Sequence, residues 1–155
     1  MVRYRQVENP KNIERGKKYM IKVIMGPKGT GKTQKVVSIV NSAVETEKGS
    51  VVCIEHGKRL TYDVNYKVRL IDITHYPVSG YESLAGFISG LYAGNYDTTH
   101  VVIDSLYKIA GDSDAEHAEK FLDWLEKFRE ENGVQFTVLI SAPSDDAPEG
   151  IKKYF

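Results

Sequence analysis

The chain predicts an α/β sandwich of three layers around a mostly parallel central sheet. Three observations carry that expectation. Short β-branched runs alternate with helical patterns. The run Val101, Val102, Ile103 is continuously apolar, as in a parallel strand buried on both faces. A glycine-rich turn, Gly26 to Gly31, separates a strand pattern from a helix pattern.

In chain order, residues 1–19 are polar, contain Pro10 and show no period, so they read as an amino-terminal extension or as a leader ahead of an alternative start at Met20. A single domain is expected over residues 20–155. Its first strand is Ile21 to Met25. A helix follows through about residue 46, with Val36, Val37, Val40, Ala43 and Val44 near a 3.6-residue repeat. Gly49 and Ser50 turn the chain into a strand over 51–55, and a shorter strand is expected over 68–73. Ser79 is expected to cap a helix reaching about Ala93, striped by Tyr81, Leu84, Ala85, Ile88 and Leu91 and weakened by Gly86 and Gly90. After the strand ending at Asp104, Ser113 or Asp114 starts a helix carrying Ala118, Phe121, Leu122, Leu125 and Phe128. Gly133 ends it, Val134 to Ile140 forms the last strand, and a short polar tail follows.

Composition narrows the function classes. At 155 residues there is room for one domain, and 41% hydrophobic with 27% charged residues excludes a wholly disordered chain. One cysteine, Cys53, excludes an internal disulfide and any thiolate cluster holding metal. No apolar run is long enough for a membrane span and no signal segment opens the chain, so a cytoplasmic protein is the default expectation. Net charge is zero but unevenly spread: residues 1–22 carry seven bases against two acids, and residues 112–149 eleven acids against three bases. Helix surfaces commonly show one dominant sign, so nucleic acid is a disfavoured partner.

Gly26-Pro27-Lys28-Gly29-Thr30-Gly31-Lys32-Thr33 satisfies G-x-x-x-x-G-K-[ST] between a strand and a helix. Residue frequencies give roughly one accidental match per couple of hundred chains of this length, and the setting thins those further. Glycines let the backbone curl and aim its amides at oxygens, and the helix adds its positive end. Lys32 would reach terminal phosphates, and Thr33 would place its hydroxyl on magnesium. Lys28 touches phosphate, contacts a neighbouring subunit or stays solvated. Asp104, at the carboxyl end of a buried strand, is the second metal candidate, with a capping role as its alternative. Ser105 holds that loop or approaches the phosphates. Glu55, at the end of the second strand, is the candidate for positioning a water, against a surface carboxylate paired with Lys58 or Arg59. Ser141, at a matching strand end, senses the terminal phosphate or has its hydroxyl satisfied structurally.

With these residues in view, the chain resembles the P-loop NTPases over residues 20 to about 142. Gly26 to Thr33 looks like Walker A and Val101 to Asp104 like Walker B. It looks most like a compact RecA-like ATPase core, since Cys53-Ile54-Glu55-His56 is similar to the strand-end glutamate segment and Val102-Ile103-Asp104-Ser105 to Walker B followed by serine. The resemblance implies ATP as the nucleotide with Mg2+, phosphate contacts by Gly31 and Lys32, metal coordination by Thr33 and Asp104, water activation by Glu55, and a strand separating the two motif-bearing strands. The few residues after the last strand leave no room for recombinase DNA loops.

Three functions follow as expectations. The leading one is a magnesium-dependent ATPase or ATP-controlled switch. A small-molecule or nucleotide kinase is the second, although residues 56–80 show no strong lid signature. The third is a non-hydrolysing interaction module. A GTPase is disfavoured by the lack of N-K-x-D. Arg59 and Arg69 carry no motif marking a charge-neutralising finger, leaving slow hydrolysis or a finger from another subunit. A protein partner and homo-oligomer both stay open. Tyr62, Tyr66, Tyr76, Tyr81, Tyr92, Tyr96 and Tyr107 crowd the middle of the chain without a linking period, which favours mixed core and surface placement over a partner face.

Overall fold

Strands β1 (Lys22–Gly26), β2 (Ser50–Glu55), β3 (Arg69–Asp72), β4 (Thr98–Ile103) and β5 (Gln135–Ser141) make one sheet in the order β1-β5-β4-β2-β3. This computed structural model describes residues 20–60 and 63–155, so the extension expected over 1–19 and Tyr62 lie outside the described residues. Every strand pair is parallel, and β5 separates β1 from β4.

Helices α1 (Lys32–Thr46), α2 (Tyr81–Gly94), α3 (Leu106–Ala110), α4 (Ala115–Asn132) and α5 (Glu149–Lys152) cover both faces. Alternation along the strands decides which core each residue enters. Val52, Ile54, Val101, Ile103, Phe136, Val138 and Ile140 point into the larger core, under Leu84 and Ile88 of α2 and Phe121, Leu122 and Leu125 of α4. Their neighbours Val51, Cys53, Val102 and Leu139 point the other way, against Val36, Val40 and Ala43 of α1. Leu60 and Val68, from the β2–β3 connection, complete that second core. Among the described residues no helix is long and apolar enough to cross a membrane.

Two local expectations need correction, one open choice is decided, and one short helix was not foreseen. Ser79 does not cap α2: Gly80, at φ 84°, takes the cap position, and the Ser79 N–H donates to Ser83 Oγ. Asp114, not Ser113, caps α4, its carboxylate accepting from the Glu116 and His117 N–H groups. The five-residue α3 was not foreseen, because one turn and a half is too short to show a period. The tail after Pro143 is not a polar appendage. Ile151 and Tyr154 are buried, and the Val23 N–H donates to the Tyr154 carbonyl, so the chain end closes the larger core beside β1.

The tyrosines divide as mixed placement requires. Tyr66, Tyr76 and Tyr96 are exposed, whereas Tyr81, Tyr92 and Tyr107 pack against the larger core.

Candidate functional site

The turn after β1 brings the chain back over the sheet's carboxyl end and into α1. Gly29 and Gly31 sit at φ 87° and 79°, backbone that a side chain would strain. Gly31 is also the cap residue of α1 and supplies no side-chain acceptor. The first-turn N–H groups of α1 are therefore not claimed by a capping side chain, and they carry the positive end of the helix dipole. Lys32 Nζ lies across the turn, donating to the carbonyls of Gly26, at 2.9 Å, and Pro27. The Thr30 hydroxyl also donates to the Pro27 carbonyl, at 2.8 Å.

Asp104 enters from the other motif-bearing strand. Its N–H continues the β2–β4 ladder by donating to the Ile54 carbonyl at 2.9 Å, which delivers the side chain at the strand's carboxyl end. Ser105, the next residue, has φ 66° and is the one non-glycine residue with positive φ among the described residues. Such backbone costs on the order of 1 kcal/mol or more and turns the chain sharply into α3. Burial pushes the Asp104 carboxyl above its ordinary range, while the Ser105 hydroxyl and the charges of Arg59, Lys32 and Lys108 pull it back. A carboxylate is thus held half out of water amid three cations.

These elements share one cavity of about 330 Å³. Of the expected site residues, Lys28, Gly29, Gly31, Lys32 and Thr33 line it from the turn and α1, with Asp104 from β4. Ser141 lines it too, because β5 pairs in register with β1 so that Ser141 sits opposite Gly26. Gly26, Pro27 and Thr30 do not line it, and the Gly26 and Pro27 carbonyls accept from Lys32 instead.

Glu55 stands at the strand end expected of it, only 3% exposed, but off the cavity lining. Its Oε1 accepts the Arg59 N–H at 2.6 Å. Burial raises its pKa, opposed by the backbone donors of Arg59 and Leu60 and helped by the nearby charges of Asp104 and Asp72. The alternative of a surface carboxylate paired with Lys58 or Arg59 is not met, since the group is buried and it accepts from the Arg59 backbone N–H. Cys53, one residue before Ile54, is fully buried with its thiol pushed up by burial, so it is no nucleophile.

Two cavity residues, Tyr107 and Lys108, escaped the site reading of the sequence, and a third, Arg59, was weighed there only as a finger without a motif. Arg59 is an exposed loop residue that only the strand order brings to Asp104. Tyr107 and Lys108 follow Asp104 by three and four residues, so the sole signal for them was proximity to the strand end. Among the described residues, no three His, Cys, Asp or Glu side chains gather to hold a metal, so Thr33 and Asp104 could supply only part of a coordination shell. Both offer the hard oxygen donors that magnesium takes. No family model matches the chain, and no curated protein matches it.

Proposed function

We propose that the chain is a P-loop NTPase with a RecA-like core, a magnesium-dependent ATP-binding protein working as an ATPase or an ATP-controlled switch. One observation carries the reading. Lys32, at the start of α1, and Asp104, just past β4, are 72 positions apart in sequence and follow strands separated by β5, yet they line the same cavity as the uncapped first turn of α1. A cation, inward amides and a hard carboxylate around one space suit a polyphosphate with a magnesium ion. The position of β5 between β1 and β4 is also what resemblance to that superfamily implies.

Lys32 would exchange its bonds to the Gly26 and Pro27 carbonyls for phosphate oxygens, and the Gly29 to Thr33 backbone would cradle them. Thr33 and Asp104 would hold magnesium, which supplies charge neutralisation between phosphate groups. The loops after Glu55 and Asp104 both border the cavity region, so nucleotide state would be transmitted there to a partner protein or a second copy.

The test is calorimetric binding of ATP with and without Mg2+, followed by assay of released phosphate. Binding that needs Mg2+ and loses that need in Asp104→Asn supports the reading; no binding under either condition overturns it. Phosphate release marks an ATPase, and binding without product marks a switch or interaction module. A kinase is the second reading, favoured by Tyr107 and Lys108 lining the cavity from α3, where an anionic acceptor would lie. It is identified by phosphate appearing on an acceptor.

A further inference from the structure

We propose that Arg59 is the contact for the terminal phosphate, supplied by this chain itself, and that Glu55 is the positioning residue that holds its loop. The proposal rests on the nucleotide reading above and adds the residue that distinguishes a triphosphate from a diphosphate.

The loop after β2 is pinned at three points. Glu55 Oε1 accepts the Arg59 N–H at 2.6 Å. The Gly57 N–H donates to Asp72 Oδ1 at 2.9 Å, and Asp72 is paired in register with Glu55 at the end of β3. Leu60 is fully buried and plugs into the core beneath α1. Residues 56–60 are thus tied to two strand ends and to a core, a short span with little freedom left. Within it the Arg59 side chain is exposed yet lines the cavity.

Sheet order then decides which part of a bound polyphosphate Arg59 would meet. Lys32 approaches from beyond β1 and Arg59 from beyond β2, with β5 and β4 between them. Asp104, at the end of β4, stands between the two cations. A polyphosphate cradled by the turn after β1, with its metal at Asp104, meets Arg59 only at its far end. The two cations also differ in commitment. Lys32 Nζ is bonded to carbonyls of its own turn. Among the described residues the Arg59 guanidinium makes no hydrogen bond or close ion pair, and its charge acts on Asp104 across the cavity. A planar fork of donors suits phosphate oxygens better than a lone ammonium does.

Glu55 acts through that loop. Its carboxylate is buried and does not line the cavity, and its bond to a backbone N–H fixes where the Arg59 side chain starts. This differs from a water-activating role, which needs the carboxylate in the cavity with the reacting groups.

The experiment measures ATP and ADP affinities, both with Mg2+, for wild type, Arg59→Ala, Glu55→Ala, Glu55→Gln and the double alanine variant. Wild type is expected to prefer ATP. Arg59→Ala should weaken ATP by about tenfold and leave ADP within about twofold, as for loss of one charge-assisted contact. Glu55→Ala should erode the same preference, and Glu55→Gln, which keeps an acceptor oxygen, should recover at least half of it. The double variant should be no worse than Arg59→Ala. An unchanged ATP to ADP ratio in Arg59→Ala overturns the arginine contact while leaving nucleotide binding intact. Additive losses in the double variant overturn the positioning role. If wild type takes up neither nucleotide, this proposal falls together with the reading beneath it. Arg59 is exposed, so its variant stays informative even where Glu55→Ala does not fold, and added guanidinium restoring ATP preference to Arg59→Ala would support the assignment.

Discussion

Helix α1 has a cavity at each end, and the larger one is not the candidate site. Around its carboxyl end, a groove of about 530 Å³ is lined by Glu47, Lys48, Gly49, Lys67 and Asp97. Around its amino end lies the 330 Å³ cavity with Lys32 and Asp104. In the groove two acids face two bases, and the helix there presents carbonyls with the negative end of its dipole. In the cavity four cations, Lys28, Lys32, Arg59 and Lys108, face one carboxylate, and the same helix presents N–H groups. On the proposed reading, volume says little about where an anion would bind. Uncompensated charge converging on donors of the same sign says more.

The sharpest way to break this contrast is to remove one lysine from each end. Lys32→Ala should weaken Mg-ATP binding on the order of 100-fold, the loss of about 3 kcal/mol in charge-assisted bonds to phosphate. Lys67→Ala, at the groove, should change it by less than about twofold. Isothermal calorimetry reads both. Comparable losses in the two variants would mean that general surface charge, and not the geometry of the turn, holds the nucleotide.

Gly49→Ala probes the groove end for structure instead. A Cβ there would stand 2.0 Å from the Asp97 carbonyl oxygen and 2.4 Å from Thr99 Cγ2. That carbonyl is fixed by the Ser50 N–H at 2.9 Å, so backbone must shift. We expect a destabilisation of about 2–3 kcal/mol, as for overpacking, seen as a lower denaturant midpoint at unchanged slope. Nucleotide affinity of the folded protein should stay at the wild-type value. A change in that affinity would couple two ends that the contrast treats as independent.

The pH response belongs to the cavity end. The Thr74 hydroxyl, then the Gly57 and Thr74 N–H groups and His75, hold the Asp72 carboxyl down to about 2, against burial. The folded value lies below the unfolded 3.8. Stability from this group is therefore present above the unfolded value and lost as pH falls through the folded one. Wild type should be more stable than Asp72→Asn near neutrality, with the gap narrowing as pH falls from about 4 to about 2. Urea midpoints across that range test it, and a gap independent of pH would detach Asp72 from the loop that carries Arg59.

How much of this was legible in the sequence depends on distance along the chain. The turn from Gly26 to Thr33 could be read because glycine spacing, lysine and the following helix are neighbours, and local sterics explain them. Asp104 could be read because a buried parallel strand announces its own carboxyl end. Arg59 could be read only as an arginine without a motif, since its meeting with Asp104 depends on β2 lying beside β4, a pairing that no local pattern encodes. Glu55 was placed on the right strand end, yet whether its carboxylate faces the cavity or the back of the loop depends on the fold of residues 56–60. The closing turn at Ile151 and Tyr154 was missed because two apolar residues in a polar stretch make no periodic signal.

Helix α2 supplies the smallest and cleanest effect. Its glycines at 86 and 90 weaken the pattern in sequence, and the helix nevertheless runs unbroken from Tyr81 to Gly94. Both are exposed, and a Cβ at either would meet nothing within 4 Å. Packing of Leu84 and Ile88 into the larger core outweighs the backbone entropy that each glycine costs. Gly86→Ala and Gly90→Ala should each stabilise the protein by about 0.5–1 kcal/mol, mainly by narrowing the unfolded ensemble. Neither glycine lines either cavity, so ATP affinity should not move. Thermal and urea unfolding measure the gain, and a loss of stability would mean that the face of α2 carrying these glycines is closed off by something a side chain disturbs.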